Sequence, residues 1–266
     1  MRASLFLFID VLSSLFQIVM ELLKSHRSIR KYKPESISKV VLDELLECGI
    51  RASNTGNMQL YSVIVTRDVD RKAMLAPHHF NQPMVLDAPV LLTVCFDINR
   101  FGKWCNINHT ESDFSNLLWL LNGAIDSSIL AQNICLAAEN VGLGICYLGT
   151  TLYNAPEISE ILKLPKGVIP VTALTLGYPE IIPDRSDRLP LEAVVHYESY
   201  EDYSDEKIAE LYFEKEALES SRLFVKENGK ENLAQVYTEV RYKSGDNQFF
   251  SSKLLKMLTD QGFSFK

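Results

Sequence analysis

The sequence has no excess of basic charge and no closely spaced pair of cysteines. Over 266 residues, 34 acidic side chains outnumber 27 Lys and Arg, which gives a formal net charge of −7. A general nucleic-acid binder needs a basic face to neutralise phosphates, so this balance argues against one. The five cysteines are odd in number, show no C-x-x-C spacing and lie mostly in apolar runs. They are predicted to be reduced, buried thiols of a cytoplasmic protein.

The common motifs of catalytic and nucleotide-binding sites are absent as well. No G-x-x-x-x-G-K-[ST] is present, which excludes a P-loop, and no G-x-S-x-G marks a nucleophile elbow. "GLGICY" places Tyr147 where a dinucleotide fingerprint needs its third glycine, and it follows a helix rather than a strand. The histidines lack metal-site spacing, so no metal is predicted. We predict no catalytic side chain, and any chemistry would come from a bound cofactor.

A membrane-spanning segment and a signal peptide are also missing from the apolar N-terminus. Asp10 and Gln17 interrupt the first twenty residues, which therefore fall short of a spanning helix. No clear small-residue cleavage site follows the apolar run, as a signal peptide would require. We expect residues 1–19 to be a leader or an extra helix, with Met20 as a candidate natural start, and we predict no membrane partner.

What is present is an irregular alternation of helical and extended segments, which favours an α+β fold. Ser38 is a candidate N-cap, with Ile37 and Leu42 placed as a hydrophobic staple. Apolar runs predict strands at residues 61–66 and 89–96, and again at "ICYLG" and "GVIPVTALTLGYP". Residues 113–141 predict a long helix that is apolar on nearly every side, so it must be buried in a core or between subunits.

After residue 200 the sequence becomes acidic and amphipathic. Ser204 is a candidate N-cap for "SDEKIAELYFEKEALESS", and two more helical segments are predicted near residues 229–240 and 246–262. These segments predict a helical extension that wraps on the core rather than an independent domain.

Positive charge is concentrated in "KSHRSIRKYK", residues 24–33, which we call the basic segment. Guanidinium groups bind phosphate bidentately and stay charged at any working pH, so Arg27, Ser28 and Arg30 can hold one or two phosphates. The alternative is a solvated basic face at the end of a helix. Farther along, "ASNTGNMQLY", residues 52–61, is rich in amides and hydroxyls that suit the edge of a flat heterocycle. Asn and Gly are equally typical of an ordinary turn.

Five motifs in this order resemble the flavin-dependent nitroreductase family: "HRSIRKYKPESI", "RASNTGNMQLYSVIV", "AENVGLGICYLGT", "LKLPKGVIPVTALTLGYPE" and "RLP". They are most similar to the oxygen-insensitive type A nitroreductases and the NADPH–flavin oxidoreductases, over residues 20–266. The resemblance implies a nitroreductase-like sandwich with a central antiparallel or mixed sheet flanked by helices. It also implies an intertwined homodimer with FMN in clefts at the subunit interface. The FMN-binding core is expected at residues 20–200, and the extension at 201–266, packed on the core or the partner subunit.

The resemblance further implies which residues bind the cofactors. The basic segment would hold the FMN phosphate and ribityl chain through His26, Arg27, Ser28 and Arg30. The other implied flavin contacts are Asn54, Asn57, Gln59, Gln82, Tyr147, Leu148, Gly149, Thr150 and the phosphate-binding Arg188. Candidates for the NADPH 2′-phosphate are Arg222, Lys226 and Lys230, so we expect NADPH rather than NADH.

The implied function is an FMN-dependent NAD(P)H oxidoreductase with a ping-pong mechanism of two-electron hydride transfer. The oxidising substrate is a nitroaromatic compound, a quinone or free flavin. The alternatives are an NADPH–flavin reductase that releases reduced FMN, and a flavin-binding protein without turnover. Without the resemblance, a helical interaction protein whose basic segment docks an acidic partner also remains.

Overall fold

The computed structural model of the protein describes residues 19–265, which form two compact units. The first unit runs to Asp184 and includes the chain from Ser252 onward, and the second is Arg185–Ser251. The expectation for residues 1–19 lies outside the described residues, apart from residue 19, which begins the described part of a helix that continues to residue 24. The expected boundary at residues 200 and 201 stays a prediction. No helix among the described residues is long and apolar enough to cross a membrane.

The first unit contains a four-stranded antiparallel sheet with the order β1-β2-β4-β3. Its strands are β1 (Tyr61–Thr66), β2 (Val90–Asp97), β3 (Gly144–Leu148) and β4 (Val168–Gly177). Both central strands, β2 and β4, consist mostly of apolar residues because both of their faces are covered. The predicted α+β class and antiparallel sheet are confirmed.

Helices cover the two faces of this sheet. Besides the helical residues 19–24 and the end of the last helix, the helices of the first unit are α1 (Lys39–Ile50), α2 (Val69–Leu75), α3 (Met84–Asp87), α4 (Asn99–Ile107), α5 (Leu117–Asn140) and α6 (Ala155–Ile161). Alternate residues of β2 point to opposite sides: Leu92 joins the core with α1 and α5, whereas Leu91 joins the core with α2, α3 and α6. The predicted sandwich is therefore observed.

The predicted capping of α1 is also observed, because the Ser38 hydroxyl accepts a hydrogen bond from the Val41 N–H (3.2 Å). The long helix, by contrast, begins later than residue 113. The Asn116 side chain accepts the Trp119 N–H (3.2 Å) and caps α5, so residues 113–116 precede the helix.

One face of α5 is buried and the other is exposed within a single chain. Leu130 and Ile134 pack in the core, whereas an apolar stripe on the helix is exposed; its residues are Leu117, Leu118, Leu121, Ile125 and Ile129. We call these five residues the α5 stripe. The expectation that α5 is buried on all sides therefore holds for only one face of the isolated chain.

The second unit is helical. It contains α7 (Asp205–Ala217), α8 (Glu219–Glu227) and α9 (Leu233–Gln235), which continues as a π-helix (Val236–Arg241). A last helix, α10 (Ser244–Asp260), begins in this unit. Ser204 caps α7 as predicted, since its hydroxyl accepts the Lys207 N–H (3.2 Å). The predicted acidic helix does not continue to residue 221, because the extended backbone of Leu218 (φ −57°, ψ 139°) separates α7 from α8.

Candidate functional site

The basic segment lies along the edge of the sheet beside β3. The Ile29 N–H donates to the Ile145 carbonyl (2.8 Å), and Ser28 forms a parallel bridge with Ile145. Ile29 is buried, and Gly144 makes room for it, since a Cβ at that glycine would come within 2.4 Å of the Ile29 side chain. The basic residues are therefore held in an extended conformation by the apolar residue between them.

Three side chains of this segment, those of His26, Arg27 and Arg30, have contacts that bear on a binding role. The Arg27 guanidinium donates from one terminal nitrogen to the Ser25 carbonyl (2.7 Å), but its Nε is buried with no partner in the part of the chain that the structure describes. His26 Nδ1 lies 2.6 Å from the Glu139 carboxylate on α5. Arg30 is exposed and lies beside Cys146, where its charge opposes the raising of the Cys146 pKa by burial.

Glu139 also faces Cys135, one turn earlier on α5. The ligand-type atoms of His26, Cys135 and Glu139 all lie within 4.8 Å of one another. Burial and the neighbouring carboxylate raise the pKa of the Cys135 thiol to about 12. The thiol is therefore protonated at neutral pH, and of these neighbours it is His26 that forms the observed hydrogen bond with the Glu139 carboxylate. The sequence did not indicate Glu139, although it is an acidic residue in an otherwise apolar helix.

The amide-rich loop is held from α5 by a buried carboxylate. Asp126 accepts hydrogen bonds from the N–H of Thr55 (2.9 Å) and from its hydroxyl (3.1 Å). Within the loop, Asn54 Oδ1 accepts the Gln59 N–H (3.2 Å), so one predicted ligand serves partly to fold the loop. Asn57 and Gln59 both have left-handed backbones (φ 54°). The sequence did not predict Asp126, and the available signal was again an acidic side chain on an apolar helix.

The end of β3 meets a turn that contains Gln82. Leu148 is the buried last residue of the strand, and Gly149 begins the single helical turn Gly149–Thr151. The Thr150 hydroxyl lies 2.9 Å from His79 Nδ1 and accepts from Gln82 Nε2 (3.4 Å). The structure thus brings the predicted residues Gln82 and Thr150 together and adds His79, which the sequence did not predict.

Tyr147 is oriented toward α5 from the same strand. Its hydroxyl donates to Gln132 Oε1 (3.2 Å), so its side chain is held against the helix. Its predicted contribution is a backbone amide, and that role stays a prediction.

The remaining predicted residues lie in the second unit. Arg188 donates to the backbone carbonyls of Ser186 (3.4 Å) and Asp187 (2.8 Å), and its guanidinium is exposed. Its role toward a phosphate stays a prediction.

The three predicted coenzyme residues line one cavity of about 390 Å³ in this unit. Arg222, Lys226 and Lys230 share it with the carboxylates of Glu216 and Glu231. Lys230 Nζ also pairs with Glu239 Oε2 (2.7 Å), which compensates part of the positive charge. The cavity is therefore a mixed-charge site rather than a purely basic one.

Comparison with known proteins gives consistent matches. Residues 23–178 match the family model described as "Nitroreductase family". The chain is 34% identical over 183 residues to the NADPH-flavin oxidoreductase of Vibrio harveyi, covering 68% of this chain and 74% of the relative. It is 32% identical over 253 residues to the FMN reductase [NAD(P)H] of Bacillus subtilis, covering 92% and 97%. A solved structure from Bacteroides fragilis superposes with a TM-score of 0.90 at 51% identity, covering 91% of this chain and 99% of that one.

Proposed function

Because the chain belongs to the nitroreductase family, we propose that it is an FMN-dependent NAD(P)H oxidoreductase. Its oxidising substrate is a small molecule: a nitroaromatic compound, a quinone or free flavin. The names of the relatives, NADPH-flavin oxidoreductase and FMN reductase [NAD(P)H], support this activity over 68% and 92% of the chain. Bound FMN supplies the two-electron hydride chemistry, which agrees with a sequence that has no recognisable acid–base set.

The observation that carries the proposal is the buried, unpartnered Nε of Arg27. Leaving a buried donor without an acceptor costs about 1–3 kcal/mol, and more when the group is charged, as a guanidinium is. A phosphate oxygen would remove this cost with a charge-assisted hydrogen bond. The neighbouring Ser28 hydroxyl and Arg30 guanidinium add further donors, so this segment fits the phosphate of a flavin nucleotide.

The C-terminal end of β3, near Gln82 and Thr150, suits the flat isoalloxazine ring of FMN. Ser28 bridges Ile145 near the start of β3, and the part of the strand from Ile145 to Leu148, roughly 10 Å long, leads from there to the group of Gln82 and Thr150. A phosphate at one end and a flat ring at the other span such a distance. In this arrangement Arg27 and Ser28 bind the phosphate, while Gln82 and the amides after Leu148 contact the ring.

NADPH is the preferred donor in this proposal. The cavity lined by Arg222, Lys226 and Lys230 offers three cations for a 2′-phosphate, a group that NADH lacks. Because Lys230 is already paired with Glu239, Arg222 and Lys226 would supply most of the attraction.

A second function differs only in how tightly the flavin is held. The FMN reductase [NAD(P)H] relative aligns with 92% of this chain, which favours release of reduced FMN as an alternative outcome. Size-exclusion chromatography under anaerobic conditions after reduction distinguishes the two functions. Reduced flavin that elutes with the protein indicates a retained cofactor, and flavin that elutes separately indicates a flavin reductase.

The test of the proposal is a visible absorption spectrum of the purified protein with FMN, followed by anaerobic NADPH. We expect a yellow protein that bleaches and then regains its colour when a nitroaromatic compound or a quinone is added. A protein that does not bind added FMN would contradict the proposal. A yellow protein that neither NADPH nor NADH bleaches would be a flavin binder without turnover.

Arg27→Ala tests the phosphate contact within this proposal. The variant should weaken FMN binding by about 1.5–3 kcal/mol, because it removes a hydrogen bond from a charged donor. Lys31→Ala is the matched control, since it removes an exposed basic side chain from the same segment. FMN dissociation constants from flavin fluorescence measure both. Equal affinity of the two variants would show that Arg27 does not hold the phosphate.

A further inference from the structure

Gln82 is held in one orientation by a residue that neither the sequence nor the proposed function identifies. His79 ends a short helical turn, Ala76–His79, and is completely buried. The next two residues, Phe80 and Asn81, both have left-handed backbones (φ 55° and 50°). These conformations reverse the chain, so that the Gln82 N–H donates to the His79 carbonyl (3.2 Å). The Gln82 side chain therefore starts from a fixed backbone.

The two ends of the Gln82 amide can be assigned from its neighbours. The Nε2 atom lies 3.1 Å from the backbone oxygen of His79 and 3.4 Å from the Thr150 hydroxyl. A carbonyl oxygen only accepts hydrogen bonds, so the amide atom beside it must be the nitrogen. Both N–H groups are then used, and Oε1 has no hydrogen-bond partner among residues 19–265. Gln82 thus presents an acceptor.

His79 fixes the second of these two contacts. Its Nδ1 lies 2.9 Å from Thr150 Oγ1, which limits the rotation of the hydroxyl that receives the Gln82 amide. The imidazole is buried on all sides, and its Nε2 has no partner in the described chain. Packing therefore holds the ring in place, and the ring in turn holds Thr150.

We propose that His79 and Thr150 are positioning residues that hold the Gln82 amide with its oxygen toward the bound flavin ring. This inference rests on the proposed function. An amide fixed in this way accepts from a ring N–H and repels a ring carbonyl at the same point. Oxidised isoalloxazine carries one ring N–H, at N3, between two carbonyl groups. The three residues thus select a flat heterocycle by its N–H, and Gln82 Oε1 is the acceptor for N3–H.

The consequence is discrimination between FMN and 3-methyl-FMN, which lacks the N3 proton. The wild-type protein should bind FMN more tightly than the methylated analogue. In Thr150→Val, which is nearly isosteric, the amide loses its second anchor and can rotate. We expect FMN affinity to fall about 3- to 10-fold, the visible spectrum of bound FMN to shift, and the preference over 3-methyl-FMN to shrink.

Conservative variants separate positioning from general structure. Thr150→Ser keeps the hydroxyl and should retain wild-type affinity and preference. His79→Asn keeps a polar nitrogen or oxygen near the position of Nδ1. It should therefore retain the FMN affinity and the preference over 3-methyl-FMN that His79→Leu loses. His78→Leu is the control for an equal change one residue earlier, since the hydrogen bond of His78 uses its backbone oxygen, which accepts from Asn154.

The experiment measures FMN and 3-methyl-FMN dissociation constants and bound spectra for all six proteins. If His79→Leu does not fold, as judged by circular dichroism, Thr150→Val decides. Wild-type affinity, spectrum and preference in a folded Thr150→Val would overturn the inference and leave the proposed function intact. A wild-type protein that does not bind FMN would overturn both. The inference is supported if Thr150→Val shows a smaller preference for FMN over 3-methyl-FMN while Thr150→Ser keeps the wild-type preference.

Discussion

At the scale of single residues, burial makes protonation of the His79 imidazole unfavourable. Burial, with a smaller contribution from His78, lowers the His79 pKa from 6.5 to about 4. Between these two pH values the unfolded chain binds a proton that the folded chain does not. The free energy of unfolding therefore decreases as the pH falls from about 6.5 toward 4, by up to about 3 kcal/mol.

Urea unfolding at neutral pH and near pH 4.5 measures this effect. His79→Asn is the control, because an amide does not titrate in this range. The wild-type protein should lose more stability than the variant over the same interval. Equal losses in both proteins would show that His79 is not the group responsible.

The contacts of His79 also explain why the sequence predicted only part of the ring site. Gln82 and Thr150 belong to motifs that resemble those of the family, so they were predicted from the sequence. The link between them requires two successive left-handed residues, Phe80 and Asn81, neither of which is glycine. A left-handed backbone is uncommon at a residue such as Phe80, and although asparagine adopts it more often than most residues, a lone Asn81 does not predict two such residues in succession. His79 was therefore found only from the structure.

At the scale of elements, the amide-rich loop depends on α5 for its conformation. Asp126→Asn keeps the size of the side chain but removes the charge that receives both hydrogen bonds of Thr55. Hydrogen bonds to charged groups contribute about 1.5–3 kcal/mol, so the loop should open more often in the variant. We expect faster hydrogen exchange in residues 52–61 and weaker FMN binding.

Hydrogen-exchange mass spectrometry of the loop peptide tests this prediction, with Asp43→Asn as the control variant. Asp43 is an exposed carboxylate on α1 that pairs only with Lys39 in the described chain, so its neutral form should leave the loop unchanged. Unchanged exchange in Asp126→Asn would mean that the loop holds itself without α5.

Elements with strong local signals were predicted closely, whereas several of the short helices were not. β1 occupies residues 61–66 as predicted, and β2 is shifted by one residue because Asp97 also pairs in the sheet. Ser38 and Ser204 were predicted as caps because hydroxyl N-caps follow a local rule. The helices α2, α4 and α8 were missed, since helices of seven to nine residues show too few turns for a periodic pattern.

At the scale of the whole molecule, the sequence did not predict which of the two units the last helix packs in. The sequence predicted a helix near residues 246–262, and α10 occupies Ser244–Asp260. Its C-terminal half belongs to the first unit, where Met257 and Leu258 join the core around Phe96. Gln261, just beyond the helix, accepts the Gly167 N–H (3.1 Å). These contacts link residues far apart in the chain, and helical periodicity gives no information about them.

We propose that a second copy of the chain covers the exposed α5 stripe, as the homodimer implied by the sequence resemblance would require. Monomeric proteins rarely expose a contiguous apolar patch of this kind. Leu121 is 54% exposed in the single chain, so Leu121→Glu should leave the folded monomer stable. In a dimer the same substitution would bury an unpaired carboxylate, which costs several kcal/mol. We therefore expect Leu121→Glu to sediment as a monomer and to lose FMN, if the cofactor lies between subunits.

Val69→Glu is the control. Val69 is 70% exposed on α2, so the Val69→Glu protein should remain dimeric and yellow. A wild-type protein that sediments as a monomer at micromolar concentration would contradict the dimer. A Leu121→Glu dimer would place the interface away from the α5 stripe.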